Sequence, residues 1–221
     1  LAHHACAASA DDRRMQLLHA VATALAPPLC AACGRSCRPE ATVCTRCARR
    51  LAGAAPLSGP GPPGIDRAWS SAPHEDVARN LVTALKFRRL LPVATLMADR
   101  IQWLAPADLL SGTIVPVPTA TLRTRARGFD PAAELAAALA EKTQLPLSAC
   151  LARSGIGRQR GKRRAERVGH PPRIRTTGQP PRSVLLIDDV LTTGATLSSC
   201  AQALRSAGSV RVAAITFARR L

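Results

Sequence analysis

The sequence predicts an α/β fold, a parallel sheet flanked by helices with a small cysteine module on its N-terminal side. Three observations carry that expectation. From about residue 65 to the end of the 221-residue chain, short apolar runs alternate with stretches of helical apolar spacing, the pattern of strands joined by crossover helices. Ser183-Val-Leu-Leu-Ile187 is apolar without interruption after its first residue, as in a strand covered on both faces. Cys30, Cys33, Cys44 and Cys47 form two Cys-x2-Cys pairs, the spacing of a metal knuckle rather than of a strand or a helix.

Read in order, residues 1–26 are an extension and short helix. The stretch from Arg13 and Arg14 through Met15 to Ala26 has the outline of a signal peptide, but Gln16 and His19 interrupt it. The cysteines that follow need a reducing compartment, so a cytoplasmic location is expected. Leu1 to Arg14 match no pattern, and Met15 is the more natural beginning. Residues 27–54 hold the cysteine module. Residues 55–64, Ala-Pro-Leu-Ser-Gly-Pro-Gly-Pro-Pro-Gly, have no periodicity and read as a linker, with residues 65–221 as the main domain.

Within that domain, His74 to Phe87 and Leu90 to Leu104 show helical spacing, with Pro92 just inside the second start. Gly112 to Pro118 is a short strand stopped by its prolines. Asp130-Pro131 supplies an N-cap and a first-turn proline for a helix to about Lys142. Arg153 to Arg175 carries nine Arg or Lys residues, one acid (Glu166) and four glycines, and is expected to be a mobile basic loop. Ser183 to Ile187 is a buried strand, Ala195 to Ala207 a helix with Gly208 at its C-terminal stop, and Val210 to Phe217 a further strand. No internal repeat is present.

Lys and Arg number 31 against 14 Asp and Glu, a formal charge of +17, which favours phosphate-rich partners. Aromatic residues are 2% of the chain and tyrosine is absent, so binding of single-stranded DNA would rest on charge more than on base stacking. No apolar run reaches the length of a spanning helix, and no membrane insertion is expected.

The most informative stretch is Val184-Leu-Leu-Ile-Asp188-Asp189-Val-Leu-Thr192-Thr193-Gly194-Ala195-Thr196. A loop that follows a strand of an open α/β sheet lies at the carboxyl edge, where ligands bind. Gly194 lets a ligand approach the backbone, the hydroxyls of Thr192, Thr193 and Thr196 add donors, and the helix N-terminus adds partial positive charge, so the loop can cradle a phosphate. Asp188 and Asp189 would repel that phosphate and must face a cation or a neutral hydrogen-bond donor. A ribose cis-diol is such a donor. Each piece alone is common turn chemistry, and no Gly-Lys-Ser/Thr of a Walker A loop is present.

The four cysteines can offer four thiolates in a tetrahedron, which closes the site and makes the zinc structural. Arg35, Arg38, Arg46, Arg49 and Arg50 offset its charge. Disulfides or a redox pair are the competing readings. Cys37 is a spare, Cys6 is an unmatched tail thiol, and Cys150 and Cys200 read as small helix or loop residues.

The string from Val184 to Thr196 resembles the thirteen-residue motif of type I phosphoribosyltransferases that binds 5-phosphoribosyl-1-pyrophosphate (PRPP). The resemblance implies that Asp188 and Asp189 contact the ribose hydroxyls, that Thr192, Thr193, Gly194, Ala195 and Thr196 hold the 5-phosphate, and that Val190 belongs to the same PRPP-binding set. Thr192 stands where purine-salvage members carry an acid. More narrowly, the chain resembles the ComF/GntX family, which joins a four-cysteine motif to the type I phosphoribosyltransferase fold. That likeness rests on Leu85-Lys86-Phe87, Val115-Pro116-Val117-Pro118, Arg127-Gly128-Phe129, Gln159 followed by Arg167, and the PRPP motif. Asp130-Pro131 replaces the usual Asn-Gln, and His170 stands where Asn is common. The family implies Mg²⁺ bridging pyrophosphate and ribose beside the Pro-Val-Pro loop, where Pro116 and Val117 could offer backbone groups only. Lys86, Arg127, Arg164 and Arg167 are the candidate pyrophosphate cations. Two roles follow from the likeness: a PRPP-binding protein linked to natural competence and DNA uptake, with single-stranded DNA or competence proteins as partners, or an active phosphoribosyltransferase with an unidentified acceptor. No side chain in the sequence stands out as nucleophile or general base.

Overall fold

The computed structural model describes residues 28–119, 128–153 and 173–221. In chain order these form α1 (Thr45–Ala52), β1 (Leu57–Gly59), β2 (Arg67–Pro73), α2 (Asp76–Arg88), α3 (Pro92–Leu104), β3 (Thr113–Pro116), α4 (Pro131–Thr143), β4 (Leu151–Arg153), β5 (Ile174–Thr176), β6 (Ser183–Leu191), α5 (Ala195–Ser206) and β7 (Arg211–Arg219). The main sheet has the order β1-β2-β7-β6-β3. Its three parallel pairings run from β2 through β7 and β6 to β3, and β1 is an antiparallel edge. The fold is thus α/β with a mostly parallel sheet flanked by helices.

Side-chain alternation along the inner strands builds two cores. Leu185 and Ile187 of β6 and Ala213, Ile215 and Phe217 of β7 pack with α2, α3 and α4. Val184 and Leu186 with Val212 and Ala214 pack on the opposite face with Leu197, Cys200, Ala201 and Leu204 of α5. Burial on both faces is why these strands read as continuous apolar runs. Asp130 caps α4 as expected, accepting the Ala132 N–H at 3.1 Å ahead of Pro131. Gly208, just past α5, takes φ +107°.

The stretch expected as a linker is part of the fold. Leu57–Gly59 pairs with β2, and the cysteine module shares one apolar cluster with the sheet: Cys30, Val43, Cys47 and Leu51 pack together with Trp69, Val77, Leu81 and Leu85. Arg88 Nη1 donates to Ala31 O at 3.2 Å, Arg100 Nη2 donates to Ala54 O at 2.6 Å and Ser71 O at 2.9 Å, and Arg50 pairs with Asp76. A module this small cannot bury a core of its own and borrows the domain's. Of the expected basic loop, Arg153 ends β4, and Ile174 and Arg175 lie in β5, its antiparallel partner. Residues 154–172 lie outside the described residues.

Candidate functional site at the carboxyl edge

β6 runs four residues beyond its expected end and carries both aspartates inside the strand. Neighbouring positions on a strand face opposite ways, so the pair splits across the sheet. Asp189 points with Ile187 toward α2, is 4% exposed, and has its Oδ1 2.6 Å from Lys86 Nζ. Asp188 points with Leu186 toward α5, is half-buried, and accepts the Asp189 N–H at 2.8 Å. Burial and the neighbouring Asp189 charge push the Asp188 carboxyl well above the usual carboxylate range. The Asp189 N–H bond and Lys86 act against that rise, and Asp130 adds to it. Burial, helped by the Asp188 charge, also lifts the Cys200 thiol on α5 to about 12.

Past β6, Thr192 and Thr193 are exposed, Thr196 is half-buried, and Gly194 stands at the N-cap of α5 with φ +76°. Gly194 has no side chain to cap this helix, and the Ala195 N–H reaches only the Thr193 hydroxyl, at 3.4 Å; the start of such a helix suits an anion. The space that a Cβ on Gly194 would need is filled from the Pro/Gly segment, for it would meet Pro62 Cβ and Cγ at 2.7 Å. Arg205 ties the same segment along α5 by donating to Gly64 O at 2.9 Å. Gly194 is therefore required by the approach of Pro62 as well as by its own left-handed backbone.

On the other side of β6, the backbone expected to meet pyrophosphate has little to offer it. Pro116 and Pro118 have no N–H, Val117 is buried, and its N–H bonds to Ile187 O at 2.9 Å. The next N–H, on Thr119, goes to Asp130 Oδ2 at 3.1 Å, while the Thr119 hydroxyl donates to Asp130 Oδ1 at 2.8 Å. Asp130 thus staples the end of the β3 loop to the start of α4. Phe129 lies under Arg89, whose guanidinium carbon is 5.7 Å from the ring centroid. Of the candidate cations, Lys86 is brought to the acid pair. Arg127, Arg164 and Arg167, with Gln159 and His170, lie outside the described residues.

Sequence reasoning passed over His74. It follows β2, whose centre, Trp69-Ser70-Ser71-Ala72, lacks an apolar run because two of its buried positions are serines. Their hydroxyls are satisfied inside the sheet, Ser70 with Thr216 Oγ1 at 2.7 Å and Ser71 with Phe217 O at 2.6 Å. The one available signal was a histidine next to a proline at the end of a small-residue segment.

At the other end of the chain, the Cys30, Cys33, Cys44 and Cys47 sulfurs all lie within 4.8 Å of one another, with Cys33 and Cys44 Sγ 3.8 Å apart. Burial works against ionisation of Cys30, but N–H groups of Cys44, Cys33 and Ala32 outweigh it and bring the thiol down to about 6. Burial and the surrounding thiols push Cys47 up. Cys37 stands outside the cluster, its Sγ directed at Ala41 O at 3.3 Å. These four side chains could hold a metal ion.

No helix among the described residues is long and apolar enough to cross a membrane. No protein-family model and no curated protein matches the sequence. Among solved structures, the chain is similar to orotate phosphoribosyltransferase from Aeropyrum pernix, with 24% identity, a TM-score of 0.37, and coverage of 59% of this chain and 63% of that one.

Proposed function

We propose that this chain binds PRPP as a phosphoribosyltransferase-type protein of the ComF/GntX kind, with the ligand lying across the carboxyl edge of β6. The observation that carries this reading is the acid pair on a buried parallel strand, followed after Val190 and Leu191 by a hydroxyl-and-glycine turn into the N-terminus of α5. Such an edge offers an anion site and a diol site at the two ends of one loop. The two carboxylates then have unequal tasks. Asp188 accepts hydrogen bonds from the ribose hydroxyls, while Asp189 holds Lys86. The Thr192–Thr196 loop takes the 5-phosphate.

Mg²⁺, when bound, would neutralise charge on the pyrophosphate. Should the site turn over, the C1–O bond to pyrophosphate breaks as an acceptor nucleophile bonds to C1 through an oxocarbenium-like transition state, and cations beside the departing pyrophosphate would neutralise the charge it gains. Arg127, Arg164 and Arg167 are the residues assigned to that task, and Lys86 serves it only if it leaves Asp189. Titration calorimetry with PRPP and Mg²⁺ tests the reading directly, and a screen for pyrophosphate release across nucleobases separates holding the ligand from transferring it.

The cysteine cluster is assigned to one structural Zn²⁺. Four sulfurs at about 2.3 Å from a tetrahedral zinc stand about 3.8 Å apart, in keeping with the observed Cys33–Cys44 separation of 3.8 Å. A second reading concerns nucleic acid. Arg35, Arg38, Arg46, Arg49 and Arg50 are all exposed around the module, which favours a polyanion such as the single-stranded DNA of a competence pathway. Its affinity then falls steeply with salt and little with sequence, and salt-independent binding counts against it.

A further inference from the structure

At the carboxyl edge the strands are tied together at one level. In register, Leu191 of β6 stands opposite Arg219 of β7, and Arg219 opposite Pro73 of β2. The Arg220 N–H then bonds to Leu191 O at 2.9 Å and the His74 N–H to Arg219 O at 2.7 Å. His74 therefore stands level with the end of the acid-bearing strand, two strand spacings away, or roughly 10 Å, on the side opposite β3. Lys86, on the helix that follows His74, spans back to Asp189.

We propose that His74 is a further ligand-site residue, which takes up a proton when a phosphate-bearing ligand fills the carboxyl edge and so supplies the positive charge that Lys86, tied to Asp189, does not. The inference rests on the PRPP reading for the position of the ligand. Among the described residues, the charged groups around the imidazole are Lys86 and Arg79 of α2, Asp189 of β6, and Arg220 after β7. Burial first, then Lys86, Arg220 and Arg79, hold the free imidazole below its ordinary range, with Asp189 acting the other way. The histidine is thus neutral in the empty site near pH 7. A polyanion placed beside three cations and this imidazole reverses the balance: one proton passes from the buffer to a ring nitrogen, and no other bond is made or broken. Affinity accordingly rises as pH falls through the histidine range.

The test is calorimetry of PRPP with Mg²⁺ on the full chain near pH 6.5, in two buffers of different ionisation enthalpy, which counts protons taken up per ligand. Asp188 and the ligand phosphates also titrate, so the count is read as the difference between the wild type and His74→Gln. Wild type is expected to take up a substantial fraction of one proton more than the variant, and to gain affinity severalfold between pH 7.5 and 6, where His74→Gln stays flat. Equal proton counts in two proteins that both bind PRPP would overturn the assignment. If PRPP does not bind the wild type, the PRPP reading fails, and inorganic pyrophosphate in the same buffers tests His74 separately: uptake lost in His74→Gln supports it, whereas unchanged uptake or no binding overturns it. An NMR titration of the wild-type imidazole, which needs no variant to fold, must show His74 titrating at higher pH with pyrophosphate than without.

Discussion

Replacing Lys86 by methionine removes the cation from a carboxylate that stays in place. Asp189 is 4% exposed and its Oδ1 lies 2.6 Å from Lys86 Nζ. Breaking a fully buried pair from one side costs about 3–5 kcal/mol, because the remaining charge is left uncompensated. The Lys86 side chain keeps 25% of its exposure, so part of the pair's field is already screened by water, and about 2–3 kcal/mol is the expectation for Lys86→Met. At roughly 2–4 °C per kcal/mol for a chain of this size, the melting temperature falls by about 4–12 °C. Asp189→Asn alone costs less, since a freed lysine can extend into water while a freed aspartate cannot. The double variant Lys86→Met/Asp189→Asn leaves neither charge and recovers most of the loss. Urea unfolding of the four proteins closes the cycle. A Lys86→Met cost below about 0.5 kcal/mol, or a double variant no more stable than Lys86→Met, refutes the buried-pair account.

Three other perturbations read different parts of the molecule. Wild type is expected to carry close to one zinc per chain and Cys44→Ala none, with the melting transition of the whole chain lowered, because the module and sheet share a core; elemental analysis and thermal circular dichroism check both, and a second, unshifted transition would contradict it. Gly194→Ala places a Cβ 2.7 Å from Pro62 at φ +76°, and about 2–4 kcal/mol is expected in urea unfolding together with weaker phosphate binding. Asp188→Asn stabilises the empty protein at neutral pH: a carboxyl raised by burial and by Asp189 binds more protons folded than unfolded, so native stability falls as pH rises from the unfolded value through the folded one. The gain from the asparagine vanishes below about pH 4, where both states are protonated, and melting curves against pH check the sign.

The α/β class was legible because β6 and β7 are buried on both faces and show it as apolar runs, and because Asp130-Pro131 marks a helix start that tertiary packing leaves intact. The strands that escaped notice are those whose stability is not written in side chains. β2 buries Ser70 and Ser71 on hydrogen bonds to β7, which no hydropathy pattern reveals, and β1 is a three-residue edge between prolines and glycines whose pairing is supplied by β2. The same Pro/Gly stretch read as a spacer because breakers mark loops, whereas here Pro62 needs a glycine partner to pack on the start of α5. Around the candidate site, the loop and acid pair were legible as a sequence pattern, but the separation of the two aspartates was not. Strand alternation sends Asp188 and Asp189 to opposite faces, and the partner that fixes Asp189 lies 103 residues earlier, 189 minus 86. His74 and the Thr119–Asp130 staple depend on contacts of the same long-range kind.

Calorimetry of PRPP and of inorganic phosphate on the wild type and on Asp188→Asn, each with Mg²⁺, reaches the central claim most directly. Asp188 carries the diol in this account, so the amide keeps the shape and removes charge-assisted hydrogen bonds, each worth roughly 1.5–3 kcal/mol. PRPP is expected to bind the wild type and to weaken about tenfold or more in Asp188→Asn, while phosphate binds the variant as well or better. Equal losses for both ligands, or no PRPP binding by the wild type, would contradict the assignment of this edge to a ribose phosphate.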